Sequence, residues 1–288
     1  MFFSDQGLFE LTLKKAFDTL LAMRNPPSRE RILASLQTAS AFAAVLVAWQ
    51  LLVVVLRIPR YLVPTPIETV QELVVRWPLL FQHSLITLGE ILLGFLLAVL
   101  VSVPCGVAAA FSRLFERTIM PVLTFAQLIP KIALAPLFII WFGFGLFPKV
   151  LITFLLSFFP IVIDAVVGFK SLDQEIVYLT RSMGLTPWKA FFKVRLPHAL
   201  PNIFAGLKVA ITLATVGAII GEFVGSDRGL GYLLLVASGD LKAALLFATL
   251  VVLTTIGLVL FYLMVVMERF AIPWHVSKRE PLGTEGGL

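Results

Sequence analysis

Charge is scarce in this chain. Only 14% of its 288 residues are Asp, Glu, Lys or Arg, against 59% hydrophobic. With a mean hydropathy of +0.98, a soluble domain of this size could not hide its apolar surface, so the solvent must be lipid. Cysteine is nearly absent. The single Cys105 lies inside an apolar run, which excludes a disulfide framework and a cysteine-rich metal site. Histidine is also rare, and His83, His198 and His275 fall at the edges of apolar runs, where interfacial anchoring is the plain reading.

Catalytic signatures are missing too. There is no His-Glu-x-x-His and no Gly-x-Ser-x-Gly, and Ser238-Gly-Asp240 falls one glycine short of the Gly-x-Gly-Asp pattern of membrane aspartyl proteases. An intramembrane enzyme is therefore the weaker rival. No Gly-x-x-x-x-Gly-Lys-Ser/Thr loop is present, so the chain is not expected to hydrolyse ATP alone. An ion-coupled carrier or channel is a second rival, but neither an internal inverted repeat nor an acidic relay supports it. Residues Met1 to Arg31 mix acids with bases and have no apolar core, which argues against a cleavable signal peptide.

What the chain does have is long apolar runs. A helical crossing needs roughly 20 apolar residues. Ile32 to Leu56, Ile91 to Ser112 and Ala243 to Met267 qualify without a charge, the second of them expected to begin a turn or two earlier, near Ser84. Thr118 to Phe142 with Lys131, Val150 to Phe169 with Asp164, and Leu200 to Gly221 with Lys208 qualify if one ionisable residue each is tolerated. The expected fold is an all-α integral membrane protein of six spans, with both termini on one side. A transmembrane domain over residues 32–271 would follow a segment 1–31 and precede a tail 272–288.

Orientation follows the lysines and arginines. With the N-terminus inside, the inner segments hold Lys14, Lys15, Arg24, Arg29, Arg31, Arg113, Arg117, Lys170, Arg181, Lys189, Lys193, Arg195, Arg269, Lys278 and Arg279. The outer loops hold only Arg57, Arg60, Arg76, Lys149, Arg228 and Lys242. The +6 net charge is thus topological, N-in and C-in, and calls for no nucleic acid.

The flanking segments carry weaker signals. Thr65-Pro-Ile-Glu68 spells a capping box with proline at the first helical position, predicting a short helix toward Arg76 that either lies on the bilayer or docks a partner. Leu8, Phe9, Leu13, Phe17, Leu20 and Leu21 recur at helical spacing beside Lys14 and Lys15, predicting an amphipathic helix that anchors to membrane lipid. The glycine-rich end, Glu280 to Leu288, has the composition of a disordered tail.

Within the membrane the third span stands apart. Pro121, Pro130 and Pro136 lie inside it, with Gly143, Gly145 and Pro148 beyond. Proline breaks a helix, and lipid tolerates that only where protein or a water-lined cavity satisfies the freed carbonyls. This segment is expected to wall a pathway, with Pro130, Lys131, Pro136 and Trp141 among its residues. Lys131 either snorkels, pairs with Asp164 or Glu222, or offers positive charge to an anion. Asp164 is read as snorkelling or salt-bridged, Lys208 as snorkelling, and Glu90 as solvated at an outer boundary. Glu222, before Gly225-Ser-Asp-Arg-Gly229, is read as part of the pathway beside a gate hinge. The glycines of the fifth span (Gly206, Gly217, Gly221) are read as packing devices.

Between the fourth and fifth spans, residues 170–198 form a polar insert with its own punctuation. Asp173 is a candidate N-cap for a helix ending at Gly184 in the left-handed conformation. Thr186-Pro187 then opens a second helix, expected to stop at Pro197. Arg181, Lys189, Lys193 and Arg195 lie among Tyr178, Trp188, Phe191 and Phe192. A basic loop held to anionic lipid is the simpler reading, yet lipid attraction needs no glycine corner or defined second helix, so a protein-docking knob is expected.

The insert resembles the EAA loop of membrane subunits of bacterial ABC importers: Glu-Ala-Ala, three residues, Gly, nine residues, Ile, one residue, Leu-Pro. This chain keeps Gly184, an aliphatic Val194, Leu196 and Pro197 at that spacing, and has Tyr178-Leu179-Thr180 where Glu-Ala-Ala would stand. Leu62-Val-Pro-Thr-Pro, the run from Pro130 to Gly145, and Gly221-Glu-Phe-Val-Gly-Ser-Asp-Arg-Gly-Leu-Gly-Tyr232 are similar to the nitrate, sulfonate and taurine branch, which includes carriers of pyrimidine precursors. The resemblance implies a type I importer permease of the inner membrane. It implies a homodimer with the path at its twofold axis, and ATPase subunits (which would hold the ATP and magnesium) docked on the knob. The docking residues would be Tyr178, Leu179, Thr180, Arg181, Gly184, Trp188, Val194, Leu196 and Pro197. An extracytoplasmic binding protein would deliver a small anionic or heteroaromatic solute.

Overall fold

The structure, a computed structural model, describes residues 28–274, and the segments read as an amphipathic N-terminal helix and a C-terminal tail lie outside the described residues. All regular structure within them is helical. The chain divides into two compact units at Glu68/Thr69. In the first, α1 (Ser28–Val55) is apolar and largely exposed, with Phe42, Val45 and Val55 all more than 60% accessible and Val53 buried. A helix hydrophobic all round is one whose solvent is lipid. Helix α2 (Pro66–Val75) begins at the expected capping box: the Glu68 amide donates to Thr65 Oγ1 (3.2 Å) and the Thr65 amide to Glu68 Oε2 (3.0 Å).

The second unit holds the bundle: α3 (Trp77–Phe111), α4 (Arg113–Leu128), a 3-10 turn (Lys131–Leu134), α5 (Ala135–Phe142) and α6 (Leu146–Lys170), then α7 (Gln174–Ser182), α8 (Pro187–Ala190), a π turn (Phe191–Arg195), α9 (Leu196–Gly225), α10 (Leu230–Gly239) and α11 (Ala243–Ala271). Among the described residues, five helices are long and apolar enough to cross a membrane. The third expected span is a broken pair, Leu114–Leu128 and Lys131–Phe142, bent by 85°; counted as one span it makes six. Pro130 is the cause, since it has no amide to give to the helix before it. A break in this span is what its prolines lead one to expect, and the structure gives its angle.

Helices α3, α6 and α9 form the core of the bundle. They meet at small residues: a Cβ on Gly217 would sit 2.7 Å from Thr153 Cα, and one on Gly94 would overlap the Thr153 side chain. The packing role read for such glycines holds, because only a missing side chain lets backbones approach this closely. Thr153 and Ser157 are wholly buried, yet Ser157 Oγ donates to Thr153 O (2.9 Å) and Ala210 O (3.2 Å). Away from water, a polar group must find its partner inside the protein.

Candidate functional site: a docking knob, a broken span and a carboxylate clamp

The knob grows from the end of α6. Helix α7 stops at Gly184, whose φ of +72° lies in the left-handed region. Two backbone bonds close the corner, Gly184 N to Arg181 O (3.0 Å) and Leu185 N to Thr180 O (3.2 Å). These are the paired bonds of a Schellman cap, which satisfies the carbonyls left free at a helix end. Asp173 stands at the N-cap as expected, without a side-chain cap bond. Thr180 is buried; Tyr178, Leu179, Arg181 and Trp188 are exposed, Trp188 at 73%. The Trp188 ring stacks on Phe192 at 5.8 Å. The outer face of the knob is thus aromatic and aliphatic, flanked by exposed Lys189 and Lys193.

The second helix does not stop at Pro197. It runs through the π turn directly into α9, and Leu196 and Pro197 open that span. Proline is at home in a first helical turn as well as after a last one, and the structure takes the former. Val194, Leu196 and Pro197 are half-buried at the knob's root. There Phe111 (α3), Phe169 (α6) and Phe191 (π turn) form a triangle with centroids 5.8–6.1 Å apart, and the Arg195 guanidinium lies 4.6 Å from the Phe111 centroid. Three elements therefore share one aromatic joint.

The broken span places Lys131 at the bend. Its Nζ donates to Gln127 O (3.0 Å) and lies 4.7 Å from the Phe159 centroid. Neither acid considered from sequence is the recorded partner. Pro130, Pro136 and Trp141 are exposed on the single chain. Lys208 is buried and paired with Glu268 of α11 at 2.7 Å.

At the other end of the bundle the reading of Glu90 is overturned. It is 1% exposed and ion-paired with the equally buried Lys149, which also donates to Ser226 Oγ at 3.0 Å. Lys149, counted as a loop residue, is the first-turn lysine of α6. Glu222 is 0% exposed, so in the single chain it has no open surface of a pathway to line. Its carboxylate accepts from Thr87 Oγ1 (2.6 Å) and from the Gly231 amide. The Leu230 amide donates to Thr87 Oγ1 (2.8 Å), and the Gly229 amide to His83 Nδ1 (2.9 Å). Three successive amides at the start of α10 are thus capped by side chains from α3 and α9. A helix N-terminus carries free donors and partial positive charge, and here a buried carboxylate answers both. Gly229 (φ +106°) and Gly231 clear the space: a Cβ at Gly229 would overlap the Glu222 carboxylate, and one at Gly231 would come within 2.8 Å of it. Sequence reading missed this clamp, although an acid followed at seven and nine residues by glycines opening a helix was a usable signal.

Comparison with known proteins agrees with this architecture. The riboflavin transport system permease protein RibX of Chloroflexus aurantiacus is 37% identical over 81% of this chain and 87% of its own length. The formylaminopyrimidine transport permease protein ThiX of Halalkalibacterium halodurans is 32% identical over 84% of this chain and 96% of its own. Among solved structures, an inward-facing MetNI methionine ABC transporter chain superposes with a TM-score of 0.59 at 20% identity, over 69% of this chain and 97% of that one; this is a likeness of fold. The family described as "Binding-protein-dependent transport system inner membrane component" matches residues 102–272, from the middle of α3 to just past α11. The chain belongs to that family: it is a multi-pass inner-membrane permease component of an ABC transporter, with no enzymatic role of its own.

Proposed function

We propose that this chain is the membrane subunit of an ATP-driven importer, gripped on its cytoplasmic face by an ATPase subunit at the knob. The observation that carries the reading is the knob's design. Its corner is closed by a full set of backbone bonds, its outer face exposes Tyr178, Leu179, Met183 and Trp188, and its root joins α3, α6 and α9 through one aromatic joint. A rigid projection with an apolar tip suits a partner's groove, and its joint suits force passed to the spans. A homodimer fits the exposed apolar side chains of the broken pair, among them Phe125, Leu128 and Trp141. Solute would reach the outer loops from an extracytoplasmic binding protein. Each ligand must favour one of two membrane conformations to drive the cycle. The cargo class is a small anionic or heteroaromatic solute: Lys131 at the bend favours the former, and the cargoes in the names of RibX and ThiX favour the latter.

The test is co-expression with the neighbouring genes and purification through a tag on this chain. A phosphate-loop ATPase should be retained by wild type and by Gly184→Ala, and lost with Gly184→Arg. A Cβ at position 184 meets nothing within 4 Å, and alanine carries the same left-handed backbone strain as arginine, so a loss confined to arginine would mark a blocked partner. No ATPase with any of the three would reject the reading.

A further inference from the structure

Beside the bend in the third span lies a partly open cavity of about 290 Å³, lined by Gln127, Lys131, Leu156, Phe159, Ile163 and neighbours. Its walls are apolar apart from two side chains, the Lys131 ammonium and the Gln127 amide. We propose that this cavity is a holding site for the cargo, and that it takes a small solute with one anionic group on a compact apolar body. The inference rests on the importer reading and adds the site and the chemical class to it.

Four observations carry it. First, the cavity sits at a discontinuity in a membrane-spanning segment, where unwound backbone and side chains together can hold a solute within lipid. Second, a lysine in an apolar wall is costly unless something offsets its charge. Lys131 uses one donor on Gln127 O and rests against Phe159, and an ammonium has three donors in all. Third, the ammonium lies over the Phe159 ring. A heteroaromatic solute would have to displace the lysine to stack on that face, whereas an anion would approach the lysine as it stands. Fourth, the volume is at the lower limit for small-molecule pockets, roughly 300 Å³, which suits a small metabolite. Phe159, Leu156 and Ile163 would then bound the apolar body, making them specificity-determining residues.

The experiment uses cysteine labelling in membranes carrying the full chain. Cys105 is the sole cysteine, so Cys105→Ser gives a clean background for Ile163→Cys and, independently, Leu213→Cys, both half-buried at the cavity wall. The anionic reagent methanethiosulfonate ethylsulfonate should react faster than its cationic trimethylammonium analogue, by about tenfold relative to their ratio on a free thiol, because a charge in a low-dielectric cleft concentrates its counter-ion. Adding Lys131→Met should abolish the preference. Millimolar ethanesulfonate should slow labelling when Lys131 is present and not in its absence. No reaction at either position, or a reagent ratio indifferent to Lys131, would overturn the site. Protection by the neutral 4-amino-2-methylpyrimidine but not by ethanesulfonate would overturn the anionic class. Labelling needs no ATPase, so these results stand apart from the co-purification that tests the importer reading.

Discussion

The two ends of the bundle are built on opposite plans. At the knob end the contacts are aromatic, the charges are mostly exposed and a tryptophan stands 73% open. At the other end Glu90, Lys149 and Glu222 are each at most 6% exposed; an ion pair holds Glu90 to Lys149, and hydrogen bonds with defined partners hold Lys149 and Glu222. Aromatic side chains that share a joint can slide past one another at small cost, because dispersion and apolar burial have no fixed direction. A buried ion pair with capped amides has one good geometry, and breaking it leaves charges without water. On the proposed reading, the contrast suits one end to be gripped and to move, and the other to hold the start of α10 still.

That contrast can be broken at the clamp first. Gly229→Val should be the most damaging change, combining a left-handed φ with overlap on the Glu222 carboxylate; it should cost more than about 4 kcal/mol and remove folded protein from detergent extracts. Lys149→Met should follow at about 3–5 kcal/mol, because it strands the Glu90 carboxylate. Adding Glu90→Gln to it should recover much of that loss, which a double-mutant cycle on thermal unfolding would read as coupling. Equal and additive losses would mean the pair has no role in holding the end together.

At the knob the expected costs to folding are small and the costs to function large. Gly184→Ala should lose about 1–2 kcal/mol, the cost of an L-residue in the left-handed region. Trp188→Ala should change stability by about 0.5 kcal/mol or less, as exposed positions do, while sharply reducing ATPase retention. Destabilisation by Trp188→Ala on the scale of Lys149→Met would erase the distinction between the two ends.

How far these ends were legible in sequence differs for a physical reason. The knob was readable because its signals are local: Asp173, Gly184 and Pro187 punctuate helices within a few residues. Only the role of Pro197 was reversed, since a proline marks the start of a helix as readily as its end. The spans were readable from the length of their apolar runs, but not the 85° bend, because proline signals a break without its angle. The clamp was not readable, because Thr87 and Glu222 meet across 135 residues of chain. Glu90 looked solvated for the same reason, its lysine lying on a different helix.

The most direct measurement of the proposed asymmetry is side-specific thiol labelling on the Cys105→Ser background. Trp188→Cys and Asp227→Cys are compared in sealed vesicles of both orientations, with and without the co-expressed ATPase. The prediction is that residue 188 reacts only from the cytoplasmic side and is protected by the ATPase. Residue 227 should react only from the opposite side, indifferent to the ATPase. Reaction of both residues from one side, or no protection at residue 188, would contradict it.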